Sequence, residues 1–377
     1  MNIKQNIGGL GMKKYVRNNV SWVGYIDWDL QYFHGNDYSI MNGTSQNAYL
    51  IEEEKTVLID TIWSPHRSEF VENLKKEINL NKIDYIIINH GEEDHSGALP
   101  ILMKEIPETP IYCTANGVKS IEGQYGKQGW NFHIVKAGDV LDIGNGKQLI
   151  FVEMKMLHWP DSMATYLTGD NILFSNDAFG QHFAAEELFN DKVDSCTLMK
   201  EALKYYANIL NPFSPLVAKK IKEIIELSLP IEIIAPSHGV IWRKNPLQIM
   251  EKYAEWANIY QEDQITITYD TMSKGTAKIA HAIAKEIALQ SPNTVVKIFH
   301  IAKADKNEIM SEIFKSRAIA VGSPTVYNNI LSSVTGWLAF LKILKFKNKK
   351  AAAFGCYGWS GEGIKMIKER LAEAGFL

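Results

Sequence analysis

Residues 86–97 read Ile86-Ile87-Ile88-Asn89-His90-Gly91-Glu92-Glu93-Asp94-His95-Ser96-Gly97, which places four potential metal ligands within six residues directly behind an apolar run. Tyr85 to Ile88 has the length and β-branching of a short buried strand, and Asn89 and Gly91 mark where the chain leaves the sheet and turns. The ligands then lie on the loop at the strand's C-terminal end. His90, Glu92 and Asp94 alternate, so in a locally extended segment they project to one side, with His95 behind them. Such a cluster suits one or two cations, and the plainer reading is a solvated acidic loop with two ordinary histidines. Three later islands weigh against the plainer reading: Leu157-His158-Trp159-Pro160-Asp161-Ser162, Phe174-Ser175-Asn176-Asp177-Ala178-Phe179-Gly180-Gln181-His182 and Ala235-Pro236-Ser237-His238-Gly239. Each sets a His or Asp just after an apolar, strand-like run, as the first stretch does.

These islands resemble the metallo-β-lactamase superfamily, whose first motif is H-x-H-x-D-H, with Glu92 standing where that motif has its second histidine. The substitution, with the later His, Asp and His, matches the flavodiiron proteins. Exchanging an imidazole for a carboxylate makes the site harder and richer in oxygen, which suits iron better than a zinc hydrolase site. The resemblance implies that His90, Glu92 and His158 serve one iron, Asp94 and His238 the other, and that Asp177 bridges them. His95 does not always ligate in the family. With His182, Trp159 and Tyr25 it is a candidate to support the ligands from behind.

A chain of 377 residues is long for one domain and suggests two, each large enough for its own core. The net charge of −3, with both signs interspersed, gives neither a basic field for nucleic acid nor a polybasic membrane patch. No apolar run approaches the ~20 residues needed to span a bilayer, and the first residues lack an apolar signal core, so a cytoplasmic location is expected. Cys113, Cys196 and Cys356 are widely separated, fit no disulfide framework, and read as reduced thiols. With no rubredoxin-like cysteine pair in the chain, an electron donor of that kind would be a separate protein.

Residues 1–11 read as loosely ordered. From Val20, three runs ending near Asp29, Ile51 and Asp60 alternate like antiparallel strands. His34, in the turn Phe33-His34-Gly35, reads as a loop histidine. Helical spacing covers 65–79, 97–106, 116–125, 194–209, 214–228 and 247–260, and strand-like pieces lie at 110–114, 132–136, 148–154, 164–168 and 231–235. The expected product is an αββα sandwich of the metallo-β-lactamase kind over residues 1–260, with the metal islands gathered at one edge. A polar connector, Gln261-Glu262-Asp263-Gln264, leads to a second domain, 261–377.

In that domain strands and helices alternate, the pattern of a parallel sheet. The first strand, Ile265 to Tyr269, is followed by Asp270-Thr271-Met272-Ser273-Lys274-Gly275-Thr276 and a helix. Hydroxyls and a glycine opening a helix suit a phosphate, because free backbone N–H groups and the positive helix end converge there; an ordinary capped helix uses the same residues. Two further strand-end loops, Gly322-Ser323-Pro324-Thr325-Val326-Tyr327-Asn328-Asn329 and Gly355-Cys356-Tyr357-Gly358-Trp359-Ser360-Gly361, complete a trio that resembles flavodoxin, whose FMN sits at the switch point of a doubly wound parallel sheet. Ser323, Pro324, Thr325, Tyr327, Asn328, Tyr357, Gly358, Trp359 and Gly361 are the flavin candidates, the aromatics offering faces for the isoalloxazine ring. Measured against flavodoxin, the last strand and helix are missing.

Together the two resemblances imply a flavodiiron oxidoreductase. It would carry electrons through FMN to two irons and reduce O2 to water or NO to N2O. The donor would be rubredoxin or a reduced deazaflavin, and the assembly a head-to-tail homodimer or a homotetramer. The alternatives are a hydrolase using metal-bound hydroxide, and a flavin or electron-transfer protein whose metal site is vestigial.

Overall fold

The β-branched runs that opened the sequence reading pack on both faces of a sheet. Ile51, Val57, Ile59 and Ile87 point to one side, while Leu50, Leu58, Ile86 and Ile88 point to the other, and all eight are buried. Side chains alternate along a strand, so a continuous apolar run requires cover on both faces. In the computed structural model, which describes residues 13–33 and 35–376, the first face meets a second sheet and the other meets helices. The readings of residues 1–11 and of His34 fall outside the described residues.

Among the described residues the first sheet has seven strands, in the order Lys14–Arg17, Val20–Trp22, Tyr49–Glu52, Thr56–Ile59, Ile83–Ile87, Ile111–Cys113 and Phe132–Ile134. The second has five, in the order Val140–Gly144, Lys147–Glu153, Met163–Leu167, Ile172–Asn176 and Ile233–Pro236. Their shared core includes Trp22, Tyr49, Phe151, Met163 and Phe174. On the outer side, Phe70, Val71 and Leu74 of the helix Arg67–Glu77 and Leu99, Leu102 and Met103 of the helix Leu99–Glu105 complete the layer. Strands Ile172–Asn176 and Ile233–Pro236 run parallel side by side, so Asp177 and His238 leave the sheet as neighbours.

The second compact unit comprises 254–377 with the short pieces 36–39 and 203–215. Its sheet is wholly parallel, in the order Val295–His300, Glu262–Tyr269, Ser316–Gly322 and Lys350–Phe354, with helices between successive strands. The first strand begins at Glu262, so most of the supposed polar connector is sheet. Polarity misleads there because Gln264 is buried with its amide satisfied, donating to Glu312 O at 2.8 Å and Ser316 Oγ at 3.1 Å. The expected helix over 194–209 also changes: the α-helix stops at Tyr205 and a π-helical turn, Tyr206–Leu210, follows. Asn208 in that turn exchanges amide hydrogen bonds with buried Asn307, whose Oδ1 also accepts from Ser39 N. No described helix is long and apolar enough to cross a membrane.

Candidate metal centre and flavin loops

The strand Ile83–Ile87 delivers Ile88, Asn89 and His90 in extended form, but the chain then coils. Glu93–Ser96 is one helical turn, so His90, Glu92 and Asp94 do not share one side as strict alternation predicts. Coiling divides the ligands into two groups. His90 Nε2 lies 3.1 Å from Glu92 Oε2, and His158 Nε2 lies 3.5 Å from the same oxygen. On the other side His238 Nε2 lies 3.0 Å from Asp94 Oδ2, and His95 Nε2 lies 3.5 Å from it.

Asp177 stands between the groups and divides its oxygens. Oδ2 faces His90 and His158 at 3.7 and 3.5 Å, while Oδ1 faces His95 and His238 at 3.1 and 3.5 Å. Three triads can be drawn close enough to hold a cation, namely His90–Glu92–His158, His90–His95–Asp177 and Asp94–His95–His238. All seven side chains named for this site therefore converge, His95 included. A cation with nitrogen and oxygen ligands at about 2.1 Å holds adjacent donor atoms about 3.0–3.4 Å apart. The facing donor atoms of the cage lie 3.0–3.7 Å apart, at this spacing or a few tenths of an ångström beyond it. Asp94 Oδ1, Asp177 Oδ2 and His95 Nε2 are buried with no hydrogen-bond partner, as atoms reserved for a metal would be.

Electrostatics agree. Burial opposes a proton on His90, yet hydrogen bonds to Asp161 and Glu92 and the charge of Asp177 raise its pKa well above the ordinary value. Burial likewise disfavours the His238 cation, and Asp177 with Asp94 overcomes this to lift it to about 10. His95 is raised against burial by Asp94 and Asp177. Asp94 and Asp177 move the other way: burial would raise them, and the surrounding imidazoles hold both below the usual carboxylate range. Cation-seeking carboxylates are thus sealed in an interior where a bare charge is costly.

Several residues that sequence reasoning left without a role position this cage. Asp60 is buried, accepts from Asn89 N at 2.7 Å, and is pushed up to about 6 by burial against the opposing pull of His95 and Asn89. Asn47 donates to Pro236 O and Gly239 O, bracketing the loop of His238. Asp161 meets His90 Nδ1 at 3.2 Å. Phe33 walls the cage, its ring 5.5 Å from His182 and 6.4 Å from His238. Of the supporting candidates, His182 bonds Thr44 Oγ1 through Nδ1 at 2.8 Å and lies 5.0 Å from the His238 ring, and Trp159 stands edge-on to His90 at 5.1 Å. Tyr25 instead stacks on His66 at 4.0 Å. The available signal was position: Asn89 adjoins His90, and Asp161 shares a short loop with His158.

In the second unit the three loops meet at the C-terminal ends of their strands. Thr325 N donates to Cys356 O at 2.9 Å, tying the second loop to the third, and Thr276 Oγ1 lies 3.4 Å from Cys356 Sγ, tying in the first. The helix Gly275–Gln290 opens after Lys274 in the left-handed region, with no side-chain cap on its N–H groups. A Cβ on Gly275 would come within 2.9 Å of Cys356 Sγ, so glycine permits the close approach. Thr271 Oγ1 is buried without a partner at this spot. Tyr327, on the second of these loops, and Tyr357 and Trp359, on the third, are 90, 62 and 80 % exposed and leave their ring faces open to stacking. Uncapped amides, an orphan hydroxyl and bare aromatic faces fit a phosphate-bearing flavin.

Residues 44–239 match the family described as ODP family beta lactamase, and 267–377 match flavodoxin. The anaerobic nitric oxide reductase flavorubredoxin of Klebsiella pneumoniae is 56% identical over 365 residues, covering 97% of this chain and 76% of that protein. The chain belongs to the flavodiiron family. The rubredoxin:oxygen oxidoreductase of Desulfovibrio gigas superposes with a TM-score of 0.92 at 37% identity, covering 97% of this chain and 90% of that one. The flavodiiron protein of Giardia intestinalis does so with a TM-score of 0.90 at 30% identity, covering 96% and 88%. As a flavodiiron protein the chain is an oxidoreductase with FMN and two irons as its cofactors, and the hydrolase reading is set aside.

Proposed function

We propose that this flavodiiron chain reduces nitric oxide to nitrous oxide. Two NO, two electrons and two protons give one N2O and one water. The observation that carries the reading is 56% identity to a nitric oxide reductase across 97% of the chain. Reduction of O2 to water is the second reading, favoured by the 0.92 TM-score against an oxygen oxidoreductase.

His90, Glu92 and His158 would hold one iron, Asp94, His95 and His238 the other, with one oxygen of Asp177 turned to each. Bound there, the irons supply two adjacent redox centres that can accept electrons and engage a diatomic. The protein does the rest. Phe33 and Trp159 set apolar rings against His182 and His90, and Asp60 and Asn47 hold the ligand loops at fixed separation. His182, its Nδ1 tied to Thr44 Oγ1 and its ring 5.0 Å from that of His238, is the imidazole at the edge of the cage that can hand on a proton. FMN would place its phosphate at Thr271 to Thr276 and its ring among Ser323, Pro324, Thr325, Tyr327, Asn328, Tyr357, Gly358, Trp359 and Gly361.

We place the metal function in 1–260 and the flavin function in 261–377, and the protein in the cytoplasm, in keeping with three free cysteines. A rubredoxin-type protein, or a reduced deazaflavin, would be the donor. The proposed assembly is a head-to-tail homodimer or a homotetramer, since an isologous interface brings each flavin to a partner's metals twice at once. The test is complementation. A His90→Ala chain and a flavin-free chain, each inactive alone, should regain NO reduction when reassembled together; heterodimers that stay inactive would confine the transfer to one chain.

A further inference from the structure

The imidazoles of the cage are backed unequally. His238 Nδ1 faces a backbone carbonyl, Ser45 O, at 2.9 Å, and His95 Nδ1 is buried without a hydrogen-bond partner. His90 Nδ1 faces a carboxylate, Asp161 Oδ2, at 3.2 Å. Asp161 is itself buried, and the same oxygen accepts the Gly91 N–H at 2.7 Å. This approach depends on glycine at 91, because a Cβ there would lie 2.6 Å from Ser120 Cβ and 3.0 Å from Asp161 Oδ2. The loop is pinned from the other side, where Thr114 Oγ1 donates to Asp161 O at 3.0 Å and Asn116 Nδ2 to Pro160 O at 3.2 Å.

Two consequences follow from elementary chemistry. An ionised carboxylate only accepts, so Asp161 keeps a proton on His90 Nδ1 and leaves Nε2, on the side of Glu92 and Asp177, as the ring atom that a metal would take once its own proton is displaced. A carboxylate partner also makes an imidazole a stronger donor to a metal than a carbonyl partner does. Asp161 further clasps the loop of His158, three residues before it, to the loop of His90 and Glu92, so one side chain sets the spacing of three ligands on a single side of the cage.

We propose that Asp161 is a positioning residue that makes the two metal positions unequal: through His90 it strengthens the His90–Glu92–His158 position, which fills first and holds its metal more tightly than the Asp94–His95–His238 position. The inference rests on the two-metal reading above. Nothing in that reading requires the positions to differ.

The experiment titrates Co(II) into the full-length, FMN-loaded, metal-depleted protein and follows visible absorption and heat. Wild-type protein should bind two equivalents in two resolved steps. In Asp161→Asn one step should weaken by roughly 10–100-fold, the range for losing such a supporting partner, while the other stays in place. Asp161→Glu, which keeps a carboxylate near Nδ1, should recover most of the loss, as a purely space-filling role would not. Should Asp161→Asn fail to fold, wild-type crystals carrying one equivalent decide instead: anomalous density should sit at His90–Glu92–His158. Binding of fewer than two equivalents by wild type would overturn the two-metal reading and this inference with it. Two equal steps unchanged in Asp161→Asn, or first occupancy beside Asp94, would overturn the role of Asp161 alone.

Discussion

In the metal cage most of the atoms that face one another belong to side chains buried from water, with Glu92 and His158 partly exposed at one side, whereas in the loops proposed for flavin the aromatic faces stand in solvent and the proposed phosphate end offers uncapped backbone N–H groups. Asp94, Asp177, His90, His95 and His238 are all at most 4 % exposed, against 80 % for Trp359. The contrast separates two ways of binding. A cage of charged side chains is held in place by mutual neutralisation and fails when one member is removed. A backbone cradle survives loss of a nearby side chain and fails when a charge is set in it.

The largest effect is therefore expected at Asp177, whose two oxygens face the two groups of the cage and which we propose serves both metals. Asp177→Ala should lower iron from two per chain to one or none and reduce NO turnover by at least ~100-fold, beyond the loss typical of a mere supporting partner. FMN content should stay at wild-type level. Metal analysis beside flavin absorbance checks it, and full iron in that variant removes Asp177 from the bridging role.

Next is the cradle. Thr276→Glu combined with Ser273→Glu puts negative charge where we propose the FMN phosphate binds and should weaken FMN by ~100-fold or more, the equivalent of losing two hydrogen bonds to a charged group. Ser273→Ala removes at most one such bond and should cost roughly 10-fold, well short of the double glutamate. Fluorescence titration of the flavin-free protein measures both. If the alanine variant loses flavin as fully as the double glutamate, the phosphate is held by side chains and the contrast fails.

The cage was legible because ligation demands particular side chains, and the order His, Glu, Asp, His, Asp, His after apolar runs survives in one dimension. What the sequence hid was conformation and support. Strict alternation put Asp94 beside His90, whereas the helical turn Glu93–Ser96 moves it to the side of His238 and brings His95 into the cage. Asp60 gave no signal and Asp161 only its place in the island of His158, since a buried carboxylate that orients a neighbour looks like any surface acid until the fold surrounds it. Gln264 misled for the same reason: its polarity is satisfied inside the sheet by partners far along the chain. The flavin loops were legible through glycines and strand ends, a pattern of backbone rather than of charge.

A smaller effect, in pH, sharpens the contrast. In the metal-free cage the pKa values of His90, His95 and His238 are raised over the unfolded value of about 6.5. Their protons stabilise the metal-free fold fully below that value, and this support is lost as pH rises toward about 10 for His238. The depressed Asp94 and Asp177 act only in acid, outside this window. Metal needs the unprotonated imidazoles, so its affinity rises over the same range and loading releases protons. The melting temperature of the stripped protein should thus fall relative to the loaded protein between about pH 6 and pH 9, as thermal melts at matched ionic strength will show. A constant gap would mean that these histidines carry no proton in the empty cage.

The smallest effect belongs to the exposed aromatics. Trp359→Ala removes one stacking face worth about 0.5–1.5 kcal/mol and should weaken FMN about 2- to 10-fold, leaving iron content unchanged.

The central claim is that electrons held on the flavin leave through the caged metals. The most direct measurement reduces the protein anaerobically, adds NO in a stopped-flow instrument and follows reappearance of oxidised flavin, in iron-loaded protein and in protein stripped of metal but still holding FMN. Fast reoxidation with N2O formation in the loaded protein, and a flavin that stays reduced in the stripped protein, is the predicted result. Equal reoxidation in both would contradict the account and assign the chemistry to the flavin itself.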